Sequence, residues 1–284
     1  MMSEYKQQVA NFFNSRTDYD AEGDSHPNEA KKLLEFAPSL EPGQTILDLA
    51  TGTGLVAIAA AEKVAPMGSV VGVDFSAVML SQAKSKIGDR NIINLELIEA
   101  DIESVSFKSE QFNLIFCCSA IVYVSDIPAL LNKCHGWLKP GGYIAFTTPA
   151  KTAYHADLQV QLSQDLFGID FPHILRPLWT AEKCETLLKQ AKFKDIEIAS
   201  ERRGEYVARD DYSVDIQWAE KHLSPQANPL VNLTDAQKQQ LQQAYQKAID
   251  ERVTEKGLWC DRSLLYVKAH KLGGSPGRPW DGYV

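Results

Sequence analysis

An α/β fold on a doubly wound, mostly parallel, seven-stranded sheet with an antiparallel last strand follows from three features of the sequence. The run Ile46-Leu47-Asp48-Leu49-Ala50-Thr51-Gly52-Thr53-Gly54 reads as an apolar strand ending in an acid and a glycine-rich turn. A second apolar strand, Val70-Val71-Gly72-Val73, ends in another acid, Asp74. Between residues 45 and 149 strand-like and helix-like segments alternate, the rhythm of parallel strands joined by right-handed crossovers. A glycine turn between strand and helix marks a nucleotide-type cofactor site at the carboxyl edge of such a sheet.

The elements follow in order. Residues 1–44 read as a helical lid, with helices over 6–14 and 27–37 separated by a polar stretch, and Pro42-Gly43 as a turn before the first strand. The cofactor-binding core spans 45–149. Its strands fall at 45–49, 69–73, 94–99, 112–118 and 143–147. The run at 112–118 is apolar on both faces, as a central parallel strand must be. Its helices fall at 55–64, where alanines allow close packing on the sheet, at 76–87 with Ser76 as N-cap, and at 127–137. The last of these is stopped by Lys139-Pro140-Gly141-Gly142. Residues 150–272 complete the sheet, with a helix at 181–191 and strands at 195–200 and 264–270. Helical insertions for a substrate pocket are expected at about 150–180 and 205–256. Thr234-Asp235-Ala236-Gln237 carries a cap signal for a helix reaching about residue 255. The Gly- and Pro-containing segment 273–284 reads as a flexible tail.

Composition narrows the function classes. With 44% hydrophobic and 23% charged residues the chain has the make-up of a globular protein. A net charge of −8 and no face-wide Lys/Arg run disfavour a nucleic-acid partner. No apolar run is long enough for a membrane span, and the polar N-terminus lacks the apolar stretch of a signal peptide. The cysteines, Cys117, Cys118, Cys134, Cys184 and Cys260, show no metal-ligand spacing and fit free thiols in a reducing cytoplasm, so no metal is expected.

The glycine turn alone does not choose the cofactor. Gly52-Thr53-Gly54-Leu55-Val56-Ala57 also fits a dinucleotide fingerprint, which leaves an NAD(P)-dependent oxidoreductase and a non-catalytic cofactor-binding protein as alternatives. Asp48 tips the balance, since a carboxylate beside the turn repels a pyrophosphate and attracts a sulfonium with its ammonium. Asp48, Asp74 and Asp101 close three successive strands, one acid each for a methionine amine, the ribose hydroxyls and an adenine edge. Read as structural residues, Asp48 caps the next helix and Asp101 a turn.

On these residues the segment 45–149 resembles the core of the class I S-adenosylmethionine-dependent methyltransferases. Asp48-Leu49-Ala50-Thr51-Gly52-Thr53-Gly54 resembles their first motif, Asp74 their second-strand acid, Ala100-Asp101-Ile102 their adenine motif, and Leu138-Lys139-Pro140-Gly141-Gly142-Tyr143 their turn into strand five. The nearest resemblance is to the branch with the ubiquinone and menaquinone methyltransferases. Phe12-Phe13, Arg16 and Tyr19-Asp20 resemble the stretch that precedes the core there. The resemblance implies a Rossmann-like methyltransferase fold, S-adenosylmethionine as cofactor and methylation of an O, N or C atom on a small aromatic or lipophilic molecule. It also implies cofactor contacts. Gly52 and Gly54 allow close backbone approach beside Ala50 and Thr51, and Asp74 takes the ribose. Phe75 or Met79 packs on the adenine, with Asp101 and Ile102 at its edge. Cys118 and Ser119 lie under the methyl, and Tyr19 clamps from the lid.

Methyl transfer from a sulfonium needs alignment, exclusion of water and, for some nucleophiles, one base. His155, His173 and His222 are the candidate bases, each also readable as a surface or packing residue. His26 reads as a turn residue or a member of the lid. Tyr123, after the fourth strand, and Tyr154 are the candidate substrate contacts, among aromatic residues that otherwise pack inserted helices.

Overall fold

The computed structural model describes residues 3–273 apart from 22, 24, 221 and 222. His222 and nearly all of the predicted tail therefore lie outside the described residues. Seven strands form the main sheet: β1 (Thr45–Leu49), β2 (Ser69–Asp74), β3 (Leu95–Glu99), β4 (Phe112–Cys117), β5 (Leu138–Pro149), β6 (Lys194–Glu201) and β10 (Leu264–His270). Their spatial order is β3-β2-β1-β4-β5-β10-β6. The first five are parallel, and β10 runs antiparallel between β5 and β6. The order reverses between β1 and β4, the switch point where such sheets bind ligands.

Helices cover both faces. One core layer joins β1, β4 and β5 to α5 (Ile127–Trp137) and α7 (Ala181–Gln190) through residues such as Leu131, Trp137 and Leu188. The other joins the sheet to α2 (Ser25–Phe36) and α3 (Leu55–Val64), whose Ala57, Ala60 and Ala61 are fully buried. Small side chains there let α3 lie close to the strands, as its alanines predict. α1 (Glu4–Asn14) and α4 (Ala77–Asp89) flank the carboxyl edge, and Ser76 caps α4 by accepting the Met79 amide.

Three expectations are corrected. The Lys139–Gly142 break belongs to the body of β5: Gly141 donates to the Lys271 carbonyl and Lys271 to that of Gly142, so pairing continues through the glycines. The segment 150–180 is helical only over α6 (Ala156–Phe167), whose Leu158, Leu162 and Leu166 pack into apolar clusters beside the buried Gln159 and Ser163. The insertion at 205–256 is only partly helical. β7 (Gly204–Val207), β8 (Val253–Thr254) and β9 (Gly257–Asp261) form a second, three-stranded sheet. Around it lie α8 (Gln217–Glu220) and α9 (Asp235–Asp250), the latter starting in the Thr234–Gln237 capping box and ending before the expected residue 255. Among the described residues no helix is long and apolar enough to cross a membrane.

Candidate active site

The site is assembled at the carboxyl ends of β1, β2 and β4. After Leu49 the chain turns through Ala50 (φ 54°), Thr51 and Gly52 (φ 54°), and Gly54 (φ 79°) opens α3. Gly54 has no side chain with which to cap the helix. Asp48 does it from the strand, its Oδ2 accepting the Ala57 amide at 3.1 Å and the Thr51 hydroxyl at 2.6 Å. Asp48 thus shapes the turn and borders the cavity beside it. Burial pushes its carboxyl up to about 7, with those two hydrogen bonds opposing and Asp74 adding to the rise. It is therefore not the fixed negative charge that the sequence argument assumed, and the case against a pyrophosphate cannot rest on it.

Asp74 at the end of β2 is also buried. It accepts the Gly52 and Ser76 amides, each at 2.8 Å, and so fixes the glycine turn to the start of α4. Desolvation raises its pKa against three opposing backbone bonds, from Ser76, Gly52 and Phe75. Two carboxylate oxygens offer about four lone-pair sites, so a ribose hydroxyl can be accepted as well. Beyond β3, Asp101 accepts the Glu103 amide at 3.0 Å and the Lys6 ammonium at 3.3 Å.

These residues enclose a cavity of about 900 Å³. It brings together every residue expected to hold the cofactor except one: Tyr19, Asp48, Ala50, Thr51, Gly52, Asp74, Phe75, Met79, Asp101, Ile102, Cys118 and Ser119, with Tyr123 beside them. The exception is Gly54, which stands behind the wall; a Cβ there would meet Ile58 at 3.1 Å and Ala83 at 3.3 Å, so it serves helix packing. A Cβ on Gly52, by contrast, would meet no protein atom within 4 Å and would project into unfilled space at the turn. The Cys118 thiol is raised by burial, then by Glu29 and Asp48, and stays protonated.

The lid closes the cavity from above. Lys6 joins α1 to Asp101 and Glu103. Burial works to raise the Glu103 carboxyl, but the Lys6 hydrogen bond and the Ser125 and Asp126 amides outweigh it and hold the group below its ordinary value. Asp20 accepts the Thr53 hydroxyl at 2.6 Å and pairs with Lys86 at 2.5 Å. Tyr19 packs against the Arg16 guanidinium, 4.2 Å from its centroid, and stacks on the His26 ring at 4.6 Å. Sequence reasoning missed Lys6 and Asp20 as fasteners, because each looks locally like a solvated charge.

A second chamber, of about 1230 Å³, adjoins the first and shares His26 with it. Tyr154 and His155 line it, both with positive φ (57° and 55°). His155 is buried, its Nδ1 3.2 Å from Arg252; burial first, then Arg252, lowers its pKa and keeps it neutral. Glu29, which sequence reasoning also missed, lines this chamber and is 4% exposed. Its carboxylate accepts the Thr147 hydroxyl, and Thr147 Oγ1 in turn accepts the Ser119 amide at 2.8 Å. Glu29 is thereby tied to the tip of β4, where the cofactor cavity begins. Its pKa is raised by burial, against hydrogen bonds from Ser119 and Thr147 and the charge of Arg203. His173 is not brought here. It lines a separate surface cavity with Asp170 and Arg176, and its Nδ1 accepts the Leu175 amide at 3.2 Å, a turn lock.

A sheet of this order with a glycine turn and acid-tipped strands over an enclosed cavity defines a cofactor-dependent α/β enzyme. The model of a methyltransferase domain matches residues 46–142. The aklanonic acid methyltransferase DauC of Streptomyces sp. (strain C5) is 30% identical over 149 residues, covering 52% of this chain and 67% of that protein. The 2-phytyl-1,4-naphtoquinone methyltransferase of Nostoc sp. is 37% identical over 106 residues, covering 37% of this chain and 46% of that one. The chain thus spans less than half the length of the second relative. In three dimensions it is similar to the YcgJ protein of Bacillus subtilis, at 16% identity and a TM-score of 0.58, covering 88% of this chain and 100% of that one. The chain belongs to the class I S-adenosylmethionine-dependent methyltransferases. Its cofactor is S-adenosylmethionine, which displaces the nicotinamide alternative. The residues fit that group: an open cradle at Gly52, carboxylates at Asp74 and Asp101, and apolar Met79 and Ile102 between them.

Proposed function

We infer that this chain transfers a methyl group from S-adenosylmethionine to an O, N or C atom of a small aromatic or lipophilic molecule held in the second chamber. The cofactor supplies an activated methyl on a sulfonium, so what is asked of the chain is alignment and exclusion of water. The observation that carries this reading is that the two chambers meet at His26 and at the Ser119–Thr147–Glu29 chain. Asp74 takes the ribose, Asp101 the adenine edge, and Gly52 the methionine part. Tyr123 borders the cofactor side and Tyr154 the acceptor side. Glu29 and the neutral His155 are the groups on the acceptor side able to take a proton. The two relatives are named for aklanonic acid and for a naphthoquinone, and the second agrees with a flat acceptor.

The test has two parts. Thermal stability is measured with S-adenosylhomocysteine and with NAD; stabilisation by the first and not the second is expected. A panel of phenols, quinols, aromatic acids and amines is then screened by mass for the gain of one methylene unit. A cofactor-bound protein that methylates none of them would leave a binding protein rather than an enzyme.

A further inference from the structure

The second chamber differs in charge from the chain that builds it. The sequence carries a net −8, yet three arginines, Arg16, Arg203 and Arg262, line the chamber against two acids, Glu29 and Asp261. Asp261 is occupied, accepting the Ser263 amide at 2.7 Å and the Thr152 hydroxyl at 2.5 Å. Arg262 pairs with Glu205 at 3.2 Å, but both side chains are about half exposed, and water screens such a pair heavily.

Arg203 and Arg262 come from partnered backbone positions. The Arg262 amide donates to the Arg203 carbonyl at 2.8 Å, and the Arg203 amide donates to Ser263 Oγ at 3.2 Å. Both residues line the same chamber, and the charges of both act on the Tyr154 hydroxyl. Arg203 is steadied by Ser25 Oγ and by Glu29 Oε2 at 3.7 Å. A guanidinium carries five N–H donors in a planar fork, so these two acceptors do not exhaust it. Tyr154 lines the same chamber and is 56% exposed. Tyr154 and His155 hold successive left-handed backbone conformations, which non-glycine residues keep only where their surroundings impose it.

Paired forks select planar anions, which they grip with two parallel hydrogen bonds. A tyrosine face beside them suits a flat ring. We propose that the second chamber takes a methyl acceptor with a carboxylate on a flat ring, its acid seated on Arg203 and Arg262 and its ring against Tyr154. The carboxylate is the anchor, and no bond to it forms or breaks. The assignment rests on the reading of this chamber as the acceptor site. Glu29 competes with the arriving acid for Arg203.

The full chain, saturated with S-adenosylhomocysteine, is titrated calorimetrically with 2-naphthoate and with its neutral isostere 2-naphthamide. The acid is expected to bind at least about tenfold more tightly than the amide. R203Q and R262Q should each weaken naphthoate binding by about tenfold while S-adenosylhomocysteine binds as before, which certifies the fold. E29Q should tighten naphthoate binding several-fold, a gain that misfolding cannot produce. Equal affinity for acid and amide, or undiminished naphthoate binding in both arginine variants, overturns the proposal and leaves the cofactor reading intact. Failure of S-adenosylhomocysteine to bind overturns the methyltransferase reading and this proposal with it.

Discussion

The Lys6 ammonium lies 3.3 Å from the Asp101 carboxylate, so the first helix is fastened to the acid at the end of β3. Lys6 is 8% exposed and also pairs with Glu103. A cation this enclosed, shared by two acids, holds the lid over the cofactor cavity. Lys6→Met keeps the apolar stem and removes the charge, leaving Asp101 and Glu103 facing each other. The expected result is a loss of about 1–3 kcal/mol in stability, read by urea denaturation. Faster release of S-adenosylhomocysteine, read by stopped-flow fluorescence, should accompany it. A variant with wild-type stability and release would show that the lid is held elsewhere.

At Gly52 the open cradle makes a sharp separation of binding from folding. A Cβ there meets no protein atom within 4 Å. The cost of Gly52→Val to the fold is then mainly the left-handed backbone, about 1–2 kcal/mol. The valine side chain enters the cofactor cavity, and S-adenosylhomocysteine binding should be abolished. Circular dichroism should stay native. Calorimetric binding at wild-type affinity would place the cofactor away from the turn.

Asp74 does two jobs, and its removal should be felt twice. Asp74→Ala strips the acceptor from the Gly52 and Ser76 amides, which destabilises the fold, and removes the partner assigned to the ribose. Cofactor affinity should fall by about 1–3 kcal/mol, the range for a lost charged acceptor. The melting temperature should fall in the same variant. A lowered melting temperature with unchanged affinity would assign Asp74 to the turn alone.

The sheet and its cofactor edge were legible because their signals are local. The runs at 45–49 and 264–270 appear as β1 and β10 with the boundaries the apolar pattern predicts. The strand-end acids, the glycine turn and Ser119 converge because strand order alone brings their tips together. Glu29 was illegible because its burial depends on Thr147, far along the chain, and in its own helix it looks like a solvated charge. Strand β7 was hidden because it is mostly exposed and offers no apolar alternation. At Asp48 the residue was found but its burial was not. The bond to Ala57 bears out the capping reading, and Asp48 lines the cofactor cavity as well.

That burial gives Asp48 a pH signature whose sign can be worked out. Its carboxyl titrates at about 7 in the folded protein, through desolvation, while an unfolded aspartate titrates near 4. Between those values the folded state binds more protons than the unfolded state, so stability falls as pH rises. The contribution is most favourable below the unfolded pKa, declines through the window up to about 7 and is constant above it. Its full span is roughly 4 kcal/mol. Asp48→Asn is isosteric, its carbonyl can still accept the Thr51 hydroxyl and the Ala57 amide, and it carries no charge to desolvate. The variant should gain stability relative to the wild type from pH 5 to about pH 7 and keep that gain at pH 8. The gain is measured as the difference in unfolding free energy. The raised carboxyl of Glu29 bends both curves alike, whereas that of Asp74, which repels the Asp48 charge, contributes to the difference. A difference that stays flat from pH 5 to pH 8 would mean that Asp48 is ionised throughout and stands in the cavity as the full negative charge its sequence position first suggested.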